Sequence, residues 1–457
     1  MNNLKLYNTA NRKVTDFEPV DNRNIKIYAC GPTVYDFIHI GNARPLVIFD
    51  ILVRLLRKIY PKVTYVRNIT DIDDKINQRA FEEGISISQL TSKTIKNFHY
   101  DCEALGNLKP DFEPKATDHI NEMIDMIKTL IDRGFAYLSS KHVIFSINKY
   151  KNYGSLSGRT LSEMISGSRV NIEDYKNNPG DFILWKPSSS DQPGWESPWG
   201  RGRPGWHIEC SAMSKKYLGK HFDIHAGGLD LIFPHHENEI AQSCCANDTK
   251  VMANFWIHNG YVNSDGEKMS KSLGNFITIN DLLSEFSGET IRYVLMQAHY
   301  RAPLNFSKKS LVEAKKSLSR LYRAVDGYQV NNETDHETIS NLYDDLNTPK
   351  ALARAHYLAD QANKGSKECA QLLKNFSKML GILSYSSEDW FKSRNNSQNT
   401  KKLNNKISEK EINKLILERQ NAKQERNFKK ADEIREKLLN LEIILEDQPG
   451  KTTWRKV

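Results

Sequence analysis

The chain has 457 residues, 39% of them hydrophobic, and a formal net charge of +9, so it is too long for a single core and is expected to form two to four domains. The six cysteines are widely spread and no apolar leader precedes them, which argues against a secreted disulfide framework and favours a reducing cytoplasm. No apolar run approaches the roughly 20 residues that cross a bilayer, so a membrane span is not expected. Residues 1–300 carry no net charge and the excess lies in residues 301–457, which suits an enzyme that binds a polyanion and equally suits a merely soluble basic surface.

The first elements predict a parallel crossover unit. Asn24–Cys30 alternates like a strand, Ala43–Tyr60 has the apolar content of a long helix, and Val63–Thr70 is rich in Val, Thr and Tyr. Strand, helix, strand over about 45 residues opens a doubly wound, Rossmann-like α/β sheet. Ligands of such sheets bind beyond the carboxyl ends of the strands, where Cys30 and Thr70 lie.

Residues 115–200 interrupt this pattern with a helix around Ile120–Arg133 and a stretch rich in Gly, Ser and Pro. Strands resume at His221–Ala226 and Phe255–Val262, and helical periodicity dominates from Ile291 onward. The polar segment Ser393–Lys406 is typical of a linker. An amphipathic helical pair is predicted for Ile407–Leu441.

Two segments carry groups suited to a nucleoside triphosphate: His39-Ile40-Gly41-Asn42 and Lys268-Met269-Ser270-Lys271-Ser272. His39 precedes the long helix, so its imidazole and the amides of the first helical turn are expected to converge on a phosphate. Lys268 and Lys271 provide two flexible ammonium groups that can follow charge onto departing phosphates. The alternatives are a satisfied polar histidine and a solvated basic loop; the two segments together favour the nucleotide site.

A second group of residues suits a metal ion. His235 and Glu239 are four residues apart in a predicted helix, so their side chains share one face. Cys30 and Cys210 are candidate thiolate partners, and two sulfurs, an imidazole and a carboxylate suit zinc better than magnesium or calcium. Spacing alone leaves open that both cysteines are inert small hydrophobes.

The two phosphate-site segments resemble the signature segments of class I aminoacyl-tRNA synthetases, which bind ATP and stabilise transfer of its adenylyl group. The resemblance implies ATP-binding roles for His39, Gly41, Asn42, Lys268, Ser270 and Lys271, with His39, Asn42, Lys268 and Lys271 also catalytic. Asn42 departs from the commoner signature, which ends in histidine, and an amide carries no cationic charge.

Three further segments, Cys30–Asp36, Gly205–Met213 and Phe233–Glu239, are similar to cysteinyl-tRNA synthetases. The resemblance implies one zinc ion held by Cys30, Cys210, His235 and Glu239, and an amino acid pocket formed by Gly31, Thr70, Trp206, His225 and Asp230. Ala226 departs from the family's run of three glycines. Zinc suits this substrate because a thiolate is a strong zinc ligand and a hydroxyl a weak one, whereas an apolar slot separates such near-isosteres by only about 1–3 kcal/mol.

Other histidines and cysteines have less certain roles. His207 and His258 are expected either to form a polar shell around the metal or to make ordinary buried hydrogen bonds. Cys244 and Cys245 are expected to pack within a helix.

The basic half resembles the family's tRNA-binding parts. Asp345–Leu352 resembles its helical anticodon-binding bundle, and Phe428–Arg435 with Thr452–Arg455 resembles its terminal tRNA-contacting piece, in which Trp454 is expected to stack on an exposed base. Solvated charged helices are the alternative.

The resemblance therefore predicts ATP-dependent ligation of L-cysteine to tRNA(Cys) through a cysteinyl-adenylate, with Mg²⁺ accompanying ATP, by a cytoplasmic monomer without membrane contact. Two other functions stay open: a cysteine ligase that acts on an amino sugar, and a catalytically silent RNA-binding paralogue. The expected catalytic domain has two halves, 1–115 and 201–265, separated by an insertion at 116–200. It is followed by a lysine-loop and stem-contact region at 266–310 and a helical anticodon-binding bundle at 311–392. A linker at 393–406 leads to a small C-terminal tRNA-contacting domain at 407–457.

Overall fold

The computed structural model describes residues 3–159, 174–264, 267–268, 276–392, 409–425, 427–440, 443–448 and 451–456. The chain forms two compact units, described separately below. The first contains Met1–Ile279, Val294–Ser307 and His336–Arg354; the second contains Asn280–Tyr293, Lys308–Asp335 and Ala355–Val457. Among the described helices, none has the length and apolar character needed to cross a membrane.

A parallel four-stranded sheet forms the centre of the first unit. Its strands are β3 (Ile25–Ala29), β4 (Val63–Arg67), β9 (Phe222–Gly228) and β10 (Ala253–Asn259), in the order β10-β9-β3-β4. Helix α1 (Ile40–Ile59) connects β3 to β4, which confirms the predicted crossover and the doubly wound α/β class. The predicted strands and helix are present, although their ends differ by up to three residues.

Two of those differences have local causes. Helix α1 begins at Ile40 and not at Ala43, because His39 caps its first turn. Strand β4 ends at Arg67 and not at Thr70, because the backbone amide of Ile69 bonds to the carbonyl of Pro114 outside the sheet.

The insertion contains its own antiparallel sheet, which the sequence did not predict. The predicted helix is present as α4 (Ile120–Asp132), after a short 3-10 turn at Ala116–His119. The sheet has the order β5-β6-β7-β8 and packs around the buried Trp185 and Phe145; its strands are Ala136–Ser139, His142–Phe145, Phe182–Pro187 and Gly202–Pro204.

The other elements of the first unit surround the sheets. A hairpin is formed by β1 (Lys5–Asn8) and β2 (Lys13–Asp16), and a three-stranded sheet by β11 (Val262–Ser264), β12 (Glu267–Lys268) and β13 (Leu304–Phe306). The helices are α2 (Asp74–Glu83), α3 (Ile87–Ala104), α5 (Trp206–Leu218) and α6 (Glu237–Asn247), with α10 (His336–Tyr343) later in the chain. A 3-10 turn at Leu229–Leu231 and a π-helical turn at Ile232–His236 lead into α6.

The second unit is mainly helical, as predicted from Ile291 onward. Three of its helices, Ile279–Leu283, Gly288–Met296 and Thr348–Asn363, also include residues assigned to the first unit. The helices are α7 (Ile279–Leu283), α8 (Gly288–Met296), α9 (Lys308–Ala324), α11 (Thr348–Asn363), α12 (Lys367–Leu380), α13 (Ser387–Lys392), α14 (Glu409–Gln424) and α15 (Phe428–Asn440). The predicted helical pair corresponds to α14 and α15, and the predicted linker lies outside the described residues.

A C-terminal hairpin, β14 (Ile443–Gln448) with β15 (Lys451–Lys456), follows these helices and was not predicted. Trp454 is only 8% exposed, packs in the hydrophobic cluster of this hairpin, and donates its ring N–H to Asn413 at 3.3 Å. The expectation that Trp454 stacks on an exposed base is therefore wrong, because apolar neighbours already cover the indole.

Candidate active site

A cleft of about 420 Å³ opens beyond the carboxyl ends of the parallel strands. It brings together seven of the residues singled out in the sequence: Cys30, Gly31, His39, Gly41, Asn42, Trp206 and Asp230. The cleft therefore lies where a doubly wound sheet binds its ligands.

His39 and Asn42 form a reciprocal cap at the start of α1. The Nδ1 atom of His39 accepts the amide N–H of Gly41 at 3.0 Å, and the Oδ1 atom of Asn42 accepts the amide N–H of His39 at 3.2 Å. Asn42 therefore has a helix-capping role at the position where the signature departs from histidine.

The amides of the first turn are not directed at the cleft as expected. The amide of Ile40 donates to the carbonyl of Ile277 at 3.1 Å, and the amide of Asn42 donates to the carbonyl of His39 at 2.9 Å. In this conformation these donors are satisfied within the chain, which corrects the prediction that they converge with His39 on a phosphate.

Residues that follow the second signature segment in the chain contact the first segment. The His39 ring contacts the Phe276 ring at a centroid distance of 4.6 Å, and the amide of Ile279 donates to the carbonyl of Ile38 at 2.9 Å. Three residues separate the end of the lysine segment at Ser272 from residues 276–279. Lys268 ends β12, while its side chain and the whole of Ser270 and Lys271 lie outside the described residues.

The four predicted metal ligands converge at one end of this cleft. Cys30 follows β3, Cys210 lies on α5, His235 precedes α6 and Glu239 lies on α6; each offers one ligand atom, and these atoms lie within 4.8 Å of one another. They are called the first donor set. The two Sγ atoms are 3.9 Å apart, and the Nε2 atom of His235 is 3.0 Å from Oε1 of Glu239. Two sulfurs on a tetrahedral zinc with bonds near 2.3 Å are separated by about 3.8 Å, so the thiols fit such an ion.

A second donor set overlaps the first and consists of Cys30, His225, His236 and Glu239. His225 Nε2 lies 2.9 Å from Glu239 Oε2, and His236 Nε2 lies 3.4 Å from Cys30 Sγ. His236 was not predicted from the sequence as a metal ligand, and its adjacency to His235 is the one local signal for it. The two sets share a thiol and a carboxylate, so these atoms are at the centre of either arrangement.

The buried ligand atoms polarise one another. Burial opposes charge on Glu239, but His225 and His235 outweigh it and lower the pKa of that carboxyl to about 2. The hydrogen bond from Cys30 lowers the pKa of Cys210 to about 6, whereas burial raises the pKa of Cys30 well above its usual value. Glu239 and Cys210 outweigh burial and raise the pKa of His235 to about 10, so a cation that binds to this carboxylate and thiolate would take the place of the His235 proton.

His207 and His258 both contact the donor sets through another imidazole. The Nδ1 atoms of His207 and His235 are 2.9 Å apart, and His258 Nε2 is 2.7 Å from Nδ1 of His236. Burial lowers the pKa of His207 and of His258 to about 3. Both rings are therefore neutral hydrogen-bonding partners of other imidazoles, an arrangement that fits either of the two roles expected from the sequence.

The predicted pocket residues occupy two layers. Trp206 and Asp230 line the cleft, and the Trp206 ring stacks on His235 with a centroid distance of 4.3 Å. Thr70 and His225 are buried and do not line it: Thr70 donates to Glu209 at 3.2 Å, and His225 lies behind Glu239. Thr70 and His225 therefore support the wall of the cleft from behind.

Two small residues fit close backbone contacts. A Cβ atom on Gly31 would lie 1.7 Å from the backbone oxygen of Asn68, so only glycine fits beside Cys30. Ala226 is completely buried in β9, between Ala29 of β3 and Ile257 of β10, and its carbonyl accepts the amide of Cys30 at 3.0 Å. The methyl group at the Ala226 departure is therefore buried against the central sheet and does not line the cleft.

Cys244 and Cys245 lie on α6 within a hydrophobic cluster that it shares with the insertion and with α5, which confirms the packing prediction. All six cysteines are in the described part of the chain and are free thiols.

Arg44 and Lys75 were not singled out in the sequence. Arg44, fully buried on α1, donates to the carbonyls of Gly260 at 2.9 Å and Tyr261 at 3.0 Å, both of which line the cleft. The Lys75 ammonium group also lines the cleft, 5.7 Å from the centre of the Tyr35 ring. A single basic residue within a helix does not show in the sequence whether its side chain will reach a cleft or the carbonyls beside it.

Comparison with known families covers most of the chain. Residues 16–316 match the class I (C) tRNA synthetase catalytic domain, residues 338–384 match the DALR domain, and residues 408–455 match the cysteinyl-tRNA ligase anticodon-binding domain. The solved structure of Mycobacterium tuberculosis methionyl-tRNA synthetase with methionyl-adenylate is similar in fold (TM-score 0.52, 17% identity, 79% of this chain and 82% of that one). The Agrobacterium radiobacter K84 LeuRS in a ternary complex is also similar in fold (TM-score 0.57, 11% identity, 82% and 86%).

Curated relatives match at much higher identity. The cysteine–tRNA ligase of Granulibacter bethesdensis is 50% identical over 99% of this chain and 95% of its own length. The corresponding ligases of Pelagibacter ubique (49% identical, 98% of each chain) and Gluconobacter oxydans (50% identical, 100% and 98%) match similarly. The chain belongs to the cysteine–tRNA ligase family of class I aminoacyl-tRNA synthetases.

Proposed function

We propose that the chain ligates L-cysteine to tRNA(Cys) in two steps. The cysteine carboxylate attacks the α-phosphate of ATP, which forms cysteinyl-adenylate and releases pyrophosphate. A ribose hydroxyl at the 3′ end of the tRNA then attacks the acyl carbon, and AMP leaves. Identity of about half the residues over nearly the whole length of curated cysteine–tRNA ligases supports this assignment.

The position of Cys30 is the observation that carries the proposal. Cys30 belongs to both donor sets and also lines the cleft, so a metal held there faces the space that receives the substrate. A free amino acid and a nucleotide fit the size of this cleft, which is within the range of ordinary ligand sites.

Cys30, Cys210, His235 and Glu239 would hold zinc, and two thiols favour this ion over magnesium or calcium. When bound there, zinc would accept the substrate thiolate as a further ligand in preference to a serine hydroxyl. The Trp206 ring covers His235 and restricts the space for the substrate side chain. The Asp230 carboxylate at the cleft is available to the cysteine ammonium group.

The nucleotide is assigned to the other side of the cleft. His39, Lys268, Ser270 and Lys271 are proposed to hold the phosphates of ATP, which arrives with Mg²⁺. Gly41 and Asn42 are proposed to contribute to the ATP site as part of the capped first turn of α1, which lines the cleft. These groups act by positioning and charge stabilisation, so no covalent enzyme intermediate is needed.

The tRNA is assigned to the later parts of the chain. The DALR match at 338–384 and the anticodon-binding match at 408–455 support tRNA as the second substrate. They disfavour an amino sugar in that role. We further propose a monomer, since one chain supplies all the residues assigned to ATP, cysteine and zinc and the site needs none from a second copy. A reducing cytoplasm is proposed because the assigned ligands include free thiols. The domain boundaries predicted from the sequence are proposed as they stand.

The test measures cysteine-dependent exchange of pyrophosphate into ATP, with serine as competitor, alongside the zinc content of the purified enzyme. Charging is then compared with tRNA(Cys) and with an amino sugar as acceptor. Lys271→Ala is expected to reduce exchange strongly, whereas Lys250→Ala, which removes an exposed lysine outside the cleft lining, is not. Full exchange by Lys271→Ala would refute the lysine assignment, and absence of any adenylate from the intact chain would favour the silent paralogue.

A further inference from the structure

A loop of the insertion, residues 150–158, contacts the first turn of α6, the helix that carries Glu239. Glu237 is completely buried. Its Oε1 atom accepts the amide N–H of Gly154 at 2.9 Å, and its Oε2 atom accepts the amide N–H of Ser157 at 2.8 Å. Both carboxylate oxygens are therefore used to hold this loop.

Contacts on either side of Glu237 extend the attachment. The hydroxyl of Tyr153 donates to Oδ1 of Asn238 at 2.5 Å, and the guanidinium of Arg159 lies 5.3 Å from the ring centre of Phe233. Arg12 holds the loop from the other side by donating to the carbonyl of Ser157 at 3.1 Å. The insertion thus contacts Phe233, Glu237 and Asn238, which flank and separate the metal-donor residues His235 and Glu239.

The geometry of a helix explains why this attachment matters for the metal. Residues two apart on a helix point about 200° apart around its axis, so Glu237 and Glu239 face nearly opposite sides. Fixing Glu237 to the insertion therefore fixes the rotation of α6 that directs Glu239 toward Cys30 and Cys210. The carboxylate of Glu237 is compensated by amide donors, and among the described residues no lysine or arginine pairs with it.

We propose that the loop at residues 150–158 is part of the metal centre, with Glu237 and Asn238 as positioning residues. They set the orientation of the first turn of α6, so that His235 and Glu239 reach the metal together with the two thiols. The inference rests on the proposed zinc site. It makes zinc retention, and selection of cysteine over serine, depend on a loop that provides no ligand.

The test uses two variants of the full chain loaded with zinc. Glu237→Gln keeps the size of the side chain but places an amide N–H₂ against one of the two loop amides. Tyr153→Phe removes a single hydroxyl. The rate of zinc release to a chromogenic chelator is expected to rise about 10- to 100-fold for Glu237→Gln, the range typical of residues that orient metal ligands. Tyr153→Phe is expected to give a smaller rise, and the KM for cysteine is expected to increase in both while the KM for ATP does not.

Asp223→Asn is the matched control. Asp223 is also fully buried, and its two oxygens accept the amides of Val20 at 2.6 Å and Lys26 at 2.7 Å, at the opposite end of β9 from the cleft. It is expected to lower the thermal midpoint without accelerating zinc release. Equal acceleration in the control would overturn the inference, because zinc release would then report general destabilisation.

The same measurements separate the inference from the function on which it rests. If the wild type holds zinc and both loop variants release it at the wild-type rate, the positioning role is refuted and the zinc proposal stands. If the wild type holds no zinc, both are refuted. Tyr153→Phe decides the matter if Glu237→Gln does not fold.

Discussion

His225 lies behind Glu239 when the first donor set holds the metal, as proposed, and replacing it tests whether it contacts the substrate or supports Glu239. His225→Phe keeps an aromatic ring on Trp256, where the present rings stack at 4.5 Å and 15°, but removes the nitrogen that lies 2.9 Å from Oε2 of Glu239. One carboxylate oxygen at a fully buried position then loses its partner.

The size of the effect follows from that lost hydrogen bond. Hydrogen bonds to charged groups contribute about 1.5–3 kcal/mol, which corresponds to about 10- to 150-fold in an equilibrium constant. The zinc dissociation constant of His225→Phe is therefore expected to rise by that factor, and excess zinc is expected to restore the KM for cysteine. The zinc dissociation constant of His225→Gln, whose amide can still donate to Glu239, is expected to lie between those of the wild type and His225→Phe.

The assay is competition for zinc with a chromogenic chelator, together with cysteine-dependent pyrophosphate exchange over a range of zinc concentrations. A supporting role is refuted if the zinc affinity of His225→Phe stays within about twofold of the wild type while the KM for cysteine stays high at saturating zinc. That result would assign His225 to direct substrate contact, as the sequence resemblance predicts.

Three further changes have defined outcomes. Asn42→Ala removes the acceptor for the amide of His39 and is expected to lower the free energy of unfolding by about 0.5–2 kcal/mol and to raise the KM for ATP, whereas Asn42→Asp, which keeps an acceptor, is expected to change stability less. Burial raises the pKa of Glu289 from 4.5 to about 7, so the folded protein binds this proton more tightly than the unfolded chain does. The resulting stabilisation, about 3 kcal/mol, is complete below about pH 4.5 and is lost as the pH rises through 7. Glu289→Gln is expected to flatten this part of the profile of thermal midpoint against pH, and an unchanged slope would contradict the assignment. Trp454→Ala is expected to destabilise the C-terminal hairpin by about 3–5 kcal/mol in urea unfolding, and a stability equal to the wild type would contradict its place in the core.

Local patterns predicted the parts of the fold that depend on neighbouring residues. The apolar content of α1 and the β-branched residues of β3 and β4 are sufficient to predict a crossover unit, because each element buries its own stretch of sequence. His235 and Glu239 were paired correctly because helical spacing alone places them on one face. The convergence of Cys30 and Cys210 with them rested on family resemblance, since these residues come from separate elements.

The features that were missed depend on contacts between distant segments. His236 joins a donor set through the path of the π-helical turn, which has no local signature. The first-turn amide of Ile40 is occupied by the carbonyl of Ile277, far away in the chain. Trp454 was expected to be exposed because it lies in a basic tail, and the local sequence does not predict the strand pairing that buries it.

The place of β9 beside β3 constrains the order in which the chain folds. Ala29 pairs with Ala226 although the whole insertion separates them in sequence, so this ladder closes a very long loop before it gains any hydrogen bond. The β5–β6 hairpin has a two-residue connection, Ser140 and Lys141, both at positive φ as in a type I′ turn, and such hairpins form in about 1–10 μs. If the insertion folds first, as this fast hairpin favours, the loop that remains to be closed is shorter, and we expect the central sheet to close at a smaller entropic cost.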